Sequence, residues 1–241
     1  MAPWQQRQDL WCLEPSGAER GLIEFIGGSY LAASPQLSYR RLLEELGGRG
    51  WRIHAWSYVP GFDHQRQANE AWRSFRLARR QWDRSSEHPC RPLRLGHSLG
   101  CKLQLLAPDG GRGAQGLVAL SFNNYSAERS VPMLAELGRT FGFQSEFSPS
   151  PPKTLREIQQ NYRQPYNLLI RFTSDHLDQS TALHSILQSR DLDQSRLVTL
   201  PGDHLTPSSA GIRRQFLGEW ADSQERKRQV AQLADLVDFM I

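Results

Sequence analysis

Hydrophobic residues along the chain fall in short continuous runs, separated by longer stretches in which they recur every three or four positions. A short apolar run between turn residues is typical of a strand buried on both faces of a parallel sheet. Six strands are predicted in this way, at residues 21–28, 51–59, 91–96, 116–122, 167–174 and 195–201. A weaker run at residues 9–14 predicts one more strand near the amino terminus.

Helices are predicted between these strands. The clearest lies at residues 64–82, where Ala71, Phe75 and Ala78 belong to one apolar stripe and arginines occupy the opposite face. Shorter helices are predicted at residues 35–46, 98–106, 181–187 and 208–220. Strands that alternate with helices require crossover connections. We therefore predict a single α/β domain over residues 1–241, with a mostly parallel central sheet flanked by helices.

Two segments depart from this alternation. Residues 123–165 are polar and marked by prolines, with "FSPSPPKTLREI" near their centre, and they predict a cap-like insertion over the sheet edge with one or two helices. Residues 222–241 carry apolar side chains at Val230, Leu233 and Val237, which predicts an amphipathic carboxyl-terminal helix. Such a helix packs either on the domain or on a second copy of the chain, as in a homodimer, and the sequence does not choose between them.

Composition excludes several classes of protein. Three isolated cysteines, Cys12, Cys90 and Cys101, form no CxxC pair, so neither a disulfide framework nor a metal site is expected. The net charge of +4 comes from scattered arginines, which does not predict a nucleic-acid surface. No apolar run suits a signal peptide or a transmembrane segment, so the expected location is the cytoplasm.

The stretch "LRLGHSLGCK" contains the pattern Gly-x-Ser-x-Gly around Ser98. A predicted strand precedes this serine and a predicted helix follows it, which is the setting of a nucleophile on a sharp strand-to-helix turn. The glycines at 96 and 100 would let strand and helix approach each other closely. The N–H of Leu99, at the start of the helix, would then face a developing oxyanion. The alternative is an ordinary glycine-rich turn.

A nucleophilic serine needs a base, and the base needs a carboxylate to orient it. His204 follows the last predicted strand, in "LPGDHLTP", and Asp175 follows the strand before it, in "LLIRFTSDHLD". Asp178 is the alternative acid. The second oxyanion N–H is expected after the strand at 21–28, from Gly28 or Ser29, because glycines there let the backbone turn inward.

Three further residues are candidates for the substrate pocket. Tyr30 directly follows the predicted oxyanion loop. Tyr58, in "YVPGFDH", lines the pocket or belongs to a loop that ends in a helix cap at Asp63. His97, beside the serine, contacts substrate or packs against the strand.

With these residues in hand, the sequence resembles the α/β-hydrolase superfamily from about residue 21 to residue 220. The segments "YVPGFDH", "LGHSLGCKLQLL", "SFNNYSA", "FSPSPPKT", "LLIRFTSDHLDQS" and "LPGDHLTP" resemble more narrowly the family called domain of unknown function 1350, found in cyanobacteria and plastid-bearing plants. The resemblance implies an α/β-hydrolase fold and a cyanobacterial source. It places Ser98 as nucleophile, Asp175 as acid and His204 as base, and it implies no known substrate.

Two positions depart from the superfamily pattern. Phe172 stands where the acid loop usually carries glycine, and Asp203 stands where many hydrolases have glycine before the histidine. Because of these departures, the sequence identifies the nucleophile more specifically than the acid.

The leading hypothesis is a serine hydrolase that cleaves an ester or thioester of a small acyl substrate through an acyl-enzyme, without cofactor or metal. If an alcohol or amine replaces water in the second step, the same residues give an acyltransferase. A hypothesis from another class is a non-catalytic α/β-hydrolase-like protein that binds a lipid, a pigment or a protein partner. A complete apparent triad favours the enzyme, because a binding protein has no need of all three residues.

Overall fold

The computed structural model describes residues 3–82, 91–130, 146–208 and 224–240. Within these ranges the strands are β1 (Gln5–Arg7), β2 (Leu10–Leu13), β3 (Gly21–Ile26), β4 (Trp51–Trp56), β5 (Leu93–His97), β6 (Gly116–Leu120), β7 (Asn167–Phe172) and β8 (Arg196–Leu200). They form one sheet with the strand order β1-β2-β4-β3-β5-β6-β7-β8. The six strands from β3 to β8 run parallel, and β1 and β2 extend one edge antiparallel. The predicted fold class is therefore confirmed.

Helices cover both faces of this sheet. They are α1 (Pro35–Ser38), α2 (Arg40–Gly48), α3 (His64–Trp82), α4 (Leu99–Leu105), α5 (Ala127–Ser130), α6 (Pro151–Asn161), α7 (Ser180–Gln188) and α8 (Gln224–Asp238). Alternate residues of each central strand point to opposite faces. Val118 and Leu120 of β6 accordingly pack in the core under α2 and α8, whereas Leu117 and Ala119 pack in the core under α4, α6 and α7.

The carboxyl-terminal helix packs on the domain itself. Val230, Leu233 and Val237 of α8 are buried in the same core as the residues of α2. Polar contacts also hold α8 in place, since the Trp51 indole N–H donates to Asp238 Oδ1 at 2.8 Å. The apolar stripe of this helix is therefore used within the chain and gives no argument for a homodimer.

Helix α6 lies within the segment 123–165 that the sequence predicts as a cap-like insertion. Helix α6 is a crossover helix between β6 and β7, and Ile158 and Tyr162 are buried in one core with residues of both strands. Helix α6 therefore belongs to the layer of helices that flanks the sheet. The prolines in its sequence lie in its first turn, where proline is common at the start of a helix. Residues 131–145 of the remaining insertion, and 209–220 of the predicted helix at 208–220, lie outside the described residues.

The parallel strands bring the loops that follow β3, β5, β7 and β8 to the same edge of the sheet. In open α/β sheets, ligands bind at this carboxyl edge. None of the helices described here combines the length and hydrophobicity that a membrane span requires.

Candidate active site

Ser98 lies on a sharp turn between β5 and α4. Its φ of 54° and ψ of −120° lie outside the regions that L residues normally adopt. The turn is held because the Ser98 N–H donates to the Leu120 carbonyl at 2.9 Å. Backbone strain of this kind costs about 1–3 kcal/mol and persists only where the surrounding structure imposes it.

The two glycines that flank this serine are required by close packing. A Cβ at Gly100 would lie 2.0 Å from the Ile26 carbonyl oxygen, and a Cβ at Gly96 would lie 2.7 Å from the Cys101 nitrogen. Both approaches involve backbone atoms that cannot move aside. Helix α4 therefore packs against the ends of β3 and β5 only because positions 96 and 100 carry no side chain.

A chain of hydrogen bonds joins Ser98, His204 and Asp175. His204 Nε2 lies 3.1 Å from Ser98 Oγ, and His204 Nδ1 lies 2.9 Å from Asp175 Oδ2. An ionised carboxylate only accepts hydrogen bonds, so Nδ1 carries the hydrogen and the Nε2 lone pair faces the serine hydroxyl. The structure thus brings together the three residues that the sequence proposes, in the order that general-base catalysis needs.

The Asp175 carboxylate is kept ionised in this chain. Burial raises its pKa. The hydrogen bonds from His204 and from the Leu177 N–H (2.8 Å) lower the pKa by more than burial raises it, so the net shift is downward. A negative charge at this position stabilises the imidazolium that forms when His204 takes a proton.

The alternative acid, Asp178, has a different set of contacts. Its carboxylate accepts hydrogen bonds from the Ser180 hydroxyl at 2.6 Å and from the Ser180 N–H at 3.1 Å, at the start of α7. Burial raises the pKa of Asp178. His204 contacts Asp175 and not Asp178, so the geometry favours Asp175 as the acid.

Two backbone N–H groups near Ser98 point to an oxyanion site. Leu99 is the first residue of α4, and Ser29 follows the end of β3; among the described residues neither N–H has a hydrogen-bond acceptor. The Gly28 N–H, by contrast, donates to the Tyr39 hydroxyl at 2.8 Å in the interior. The Gly28 N–H is therefore not available as an oxyanion donor, which leaves the Ser29 N–H as the candidate from this loop. Gly28 instead permits close approach, since a Cβ there would lie 3.1 Å from Ser98 Cβ.

Behind the site a second chain of hydrogen bonds runs from Gly28 to His204. The Tyr39 hydroxyl accepts from the Gly28 N–H, so its own hydrogen points to His97 Nδ1 at 2.7 Å. His97 Nε2 then carries the hydrogen and donates to the His204 carbonyl at 2.8 Å. Burial lowers the pKa of His97 to about 3, in keeping with this neutral form.

Of the two interpretations of His97, these contacts favour packing behind the site, where His97 is a positioning residue. Sequence reasoning missed Tyr39 altogether, because its place before Leu42, Leu43 and Leu46 resembles an ordinary core position.

The other two pocket candidates also lie elsewhere. Tyr58 is buried, stacks on Trp56 with ring centroids 4.5 Å apart, and donates to the Gly27 carbonyl at 3.0 Å. It therefore supports the oxyanion loop from behind. Tyr30 is 77% exposed and its hydroxyl donates to the Ser130 carbonyl at 3.2 Å. Neither lines the cavity beside the oxyanion donors.

Replacing Tyr39 with phenylalanine is expected to destabilise the protein by about 1–3 kcal/mol, because the buried Gly28 N–H loses its acceptor. Urea unfolding followed by circular dichroism measures this change. Tyr166→Phe is the matched control, since Tyr166 is half exposed and its hydroxyl has no partner among the described residues. Equal stability of the two variants would contradict the assigned hydrogen-bond chain.

A small cavity of about 30 Å³ opens beside the oxyanion donors, with Ser29 and Leu99 in its wall and Lys102, His64 and Asn124 among its other lining residues. No group of three or more His, Cys, Asp or Glu side chains in the described ranges is arranged to hold a metal ion.

Solved structures with the same fold include a lipase, an esterase and a thioesterase domain. A monoacylglycerol lipase from Paleococcus ferrophilus matches with a TM-score of 0.62 at 15% identity, over 97% of this chain and 100% of the lipase. An esterase from Thermogutta terrifontis matches with a TM-score of 0.62 at 16% identity, over 95% of this chain and 88% of the esterase. The thioesterase domain from the curacin biosynthetic pathway matches with a TM-score of 0.58 at 12% identity, over 98% of each chain.

At these identities the likeness shows the fold, which is that of the α/β hydrolases. No curated protein matches the sequence. A family model described as "Protein of unknown function (DUF1350)" matches residues 3–225, which is most of the chain. The chain therefore belongs to the DUF1350 family, as its motifs suggest, and has the α/β-hydrolase fold.

Proposed function

We propose that the protein is a serine hydrolase that cleaves an ester or thioester of a small acyl substrate. The observation that carries this proposal is the continuous hydrogen-bonded chain from Ser98 through His204 to Asp175. The N–H groups of Ser29 and Leu99 beside it, which have no acceptor among the described residues, add support. The lipase, esterase and thioesterase that share the fold fit this reaction class.

The reaction follows from the geometry of these groups. Ser98 Oγ attacks the substrate carbonyl while His204 Nε2 takes its proton, and Asp175 holds the imidazole and stabilises its charge. The N–H groups of Ser29 and Leu99 stabilise the oxyanion. The intermediate collapses, and the leaving alcohol or thiol takes the proton from His204. Water, deprotonated by His204, then attacks the acyl-enzyme, and the acid and free Ser98 are released.

Acyl transfer uses the same residues and differs only in the nucleophile of the second step, so product analysis separates it from hydrolysis. A purely binding role is less well supported, because the strained turn at Ser98 costs free energy that a binding protein would not need to spend. The described parts of the insertion are proposed to cover the substrate, since Asn123, Asn124 and Phe147 line the cavity at the site.

Labelling with a fluorophosphonate probe tests the proposal, since the probe reacts with an activated serine whatever the natural substrate is. We expect one adduct on Ser98, mapped by mass spectrometry and lost in Ser98→Ala. Ser121 also has a positive φ, of 51°, but in the described structure no histidine is hydrogen-bonded to its hydroxyl as a base, so it should stay unlabelled. Absence of an adduct on protein that circular dichroism shows to be folded would reject the proposal.

A further inference from the structure

A lysine side chain, Lys102, lines the cavity beside the oxyanion donors and is buried to an unusual extent. Lys102 comes four residues after Ser98 and three after Leu99, so it lies on the same face of α4. It is 1% exposed. Lysine is almost never buried to this extent without a partner for its charge.

The contacts of the Lys102 ammonium leave it incompletely satisfied. Nζ donates to the Pro149 carbonyl at 3.2 Å and lies 5.7 Å from the centre of the Phe147 ring. Among the described residues no carboxylate pairs with it. An ammonium has three N–H donors, so two have no acceptor in the described structure.

A structural role does not account for this lysine. The Pro149 carbonyl also accepts a hydrogen bond from Thr154 Oγ1, at 3.3 Å, and therefore does not depend on Lys102. Burial lowers the pKa of Lys102 to about 8, although Glu146 and Glu157 act in the opposite direction. The side chain is still mostly protonated at pH 7, so the cavity contains a positive charge.

Two other buried groups line the cavity, and one of them, His64, already has a hydrogen bond with the backbone of Gly61. His64 is 3% exposed, and its Nδ1 makes no hydrogen bond within the described ranges. Burial lowers the pKa of His64 to about 3, so the ring is neutral. Asn124 is 6% exposed; its Nδ2 donates to the Pro151 carbonyl at 3.0 Å, which leaves Oδ1 as the atom without a partner. Buried polar groups are nearly always hydrogen-bonded in native proteins, so the two Lys102 N–H donors without acceptors indicate an acceptor group of a ligand in this cavity. The Oδ1 atom of Asn124 is itself an acceptor and does not contribute to such binding.

We propose that this cavity binds a carboxylate of the substrate, through the Lys102 ammonium. The substrates are then half-esters or half-thioesters of short dicarboxylic acids, with the scissile carbonyl at Ser98 and the free carboxylate at Lys102. This inference rests on the proposed hydrolase function.

Size and spacing favour a carboxylate on the acyl side. A cavity of about 30 Å³ holds on the order of two water molecules, which suits a planar carboxylate better than a tetrahedral phosphate. Lys102 lies four positions after Ser98, which is ~6 Å along the helix axis. A spacer of a few carbon atoms between the two carbonyl groups therefore matches the site.

The kinetic test compares p-nitrophenyl hydrogen adipate with its neutral methyl ester, after subtraction of enzyme-free hydrolysis. We expect the wild type to favour the acid by about tenfold or more in kcat/KM, and Lys102→Met to lose this preference mainly through KM. Lys153→Met is the matched control, because Lys153 is exposed on α6 and its loss should leave both rates unchanged. Asn124→Asp, nearly identical in shape, adds a charge that competes for Lys102 and should also abolish the preference.

Binding of adipate to Ser98→Ala, measured by calorimetry, separates this inference from the proposed function. Binding that is retained with Lys153→Met and lost with Lys102→Met supports the carboxylate site even if no ester is cleaved. Equal kcat/KM for the two esters, or a preference for the neutral one, together with no adipate binding, overturns the inference. The hydrolase proposal would survive that result if the fluorophosphonate labels Ser98.

Discussion

Ser98→Ala is expected to lower kcat by about 10⁶-fold for any ester that the wild type hydrolyses, and His204→Ala should have an effect of similar size. The double variant should be hardly slower than either single one, because nucleophile and base act as a unit across their 3.1 Å hydrogen bond. Steady-state kinetics of the three variants on one activated ester measures this, with residual rates compared with the uncatalysed reaction.

The non-additive result is the informative part of this experiment. If the effects of the two single substitutions multiplied in the double variant, Ser98 and His204 would act independently and the proposed proton transfer between them would be wrong. Thermal unfolding of each variant is the control, because a loss of activity through unfolding would lower the melting temperature.

Asp175→Asn is expected to lower kcat by about 10⁴-fold. The asparagine amide can donate to His204 Nδ1, which stabilises the tautomer with its hydrogen on Nε2, and that tautomer cannot accept the serine proton. The carboxylate it replaces lies 2.9 Å from Nδ1. Kinetics of the variant on the same ester, with circular dichroism to verify the fold, measures the effect.

Asp178→Asn is the matched control for this substitution. Its carboxylate binds Ser180 at the start of α7, so we expect unchanged kcat and a loss of about 1 kcal/mol in the free energy of unfolding. A large loss of activity in Asp178→Asn, with little loss in Asp175→Asn, would reverse the assignment of the acid.

The strands and most helices were predictable because each has a pattern of its own. Five of the six parallel strands, β3 to β7, are buried on both faces over most of their length, so their apolar runs stand out, and the stripe of α3 recurs with helical spacing. The edge strand β1 has no such pattern, because Gln5 and Gln6 are exposed. The prolines and charged residues of helix α6 resemble a polar insertion, because only Thr154 and Ile158 of this helix are buried.

The residues of the candidate site also differ in how far the sequence could predict them. Ser98, Asp175 and His204 each follow a predicted strand, and parallel strands carry such residues to one edge, so chain order was enough to propose them. Gly28 and Ser29 could not be separated, because the difference depends on the Tyr39 hydroxyl, eleven residues away from Gly28. Lys102 gave no signal, because a single lysine in a helix is usually exposed and only the packing around α4 shows that this one is buried.

One hydroxyl joins both halves of the catalytic machinery, since Tyr39 holds the oxyanion loop through Gly28 and the base loop through His97. Its ring packs edge-on against Phe25 in the centre of the sheet, with ring centroids 4.7 Å apart. Related sequences in which position 39 cannot hydrogen-bond must therefore replace two supports at once, and positions 39 and 97 should covary within the family. Redesign of the substrate pocket has more freedom around the insertion than around this tyrosine, where a change to one loop is transmitted to the other.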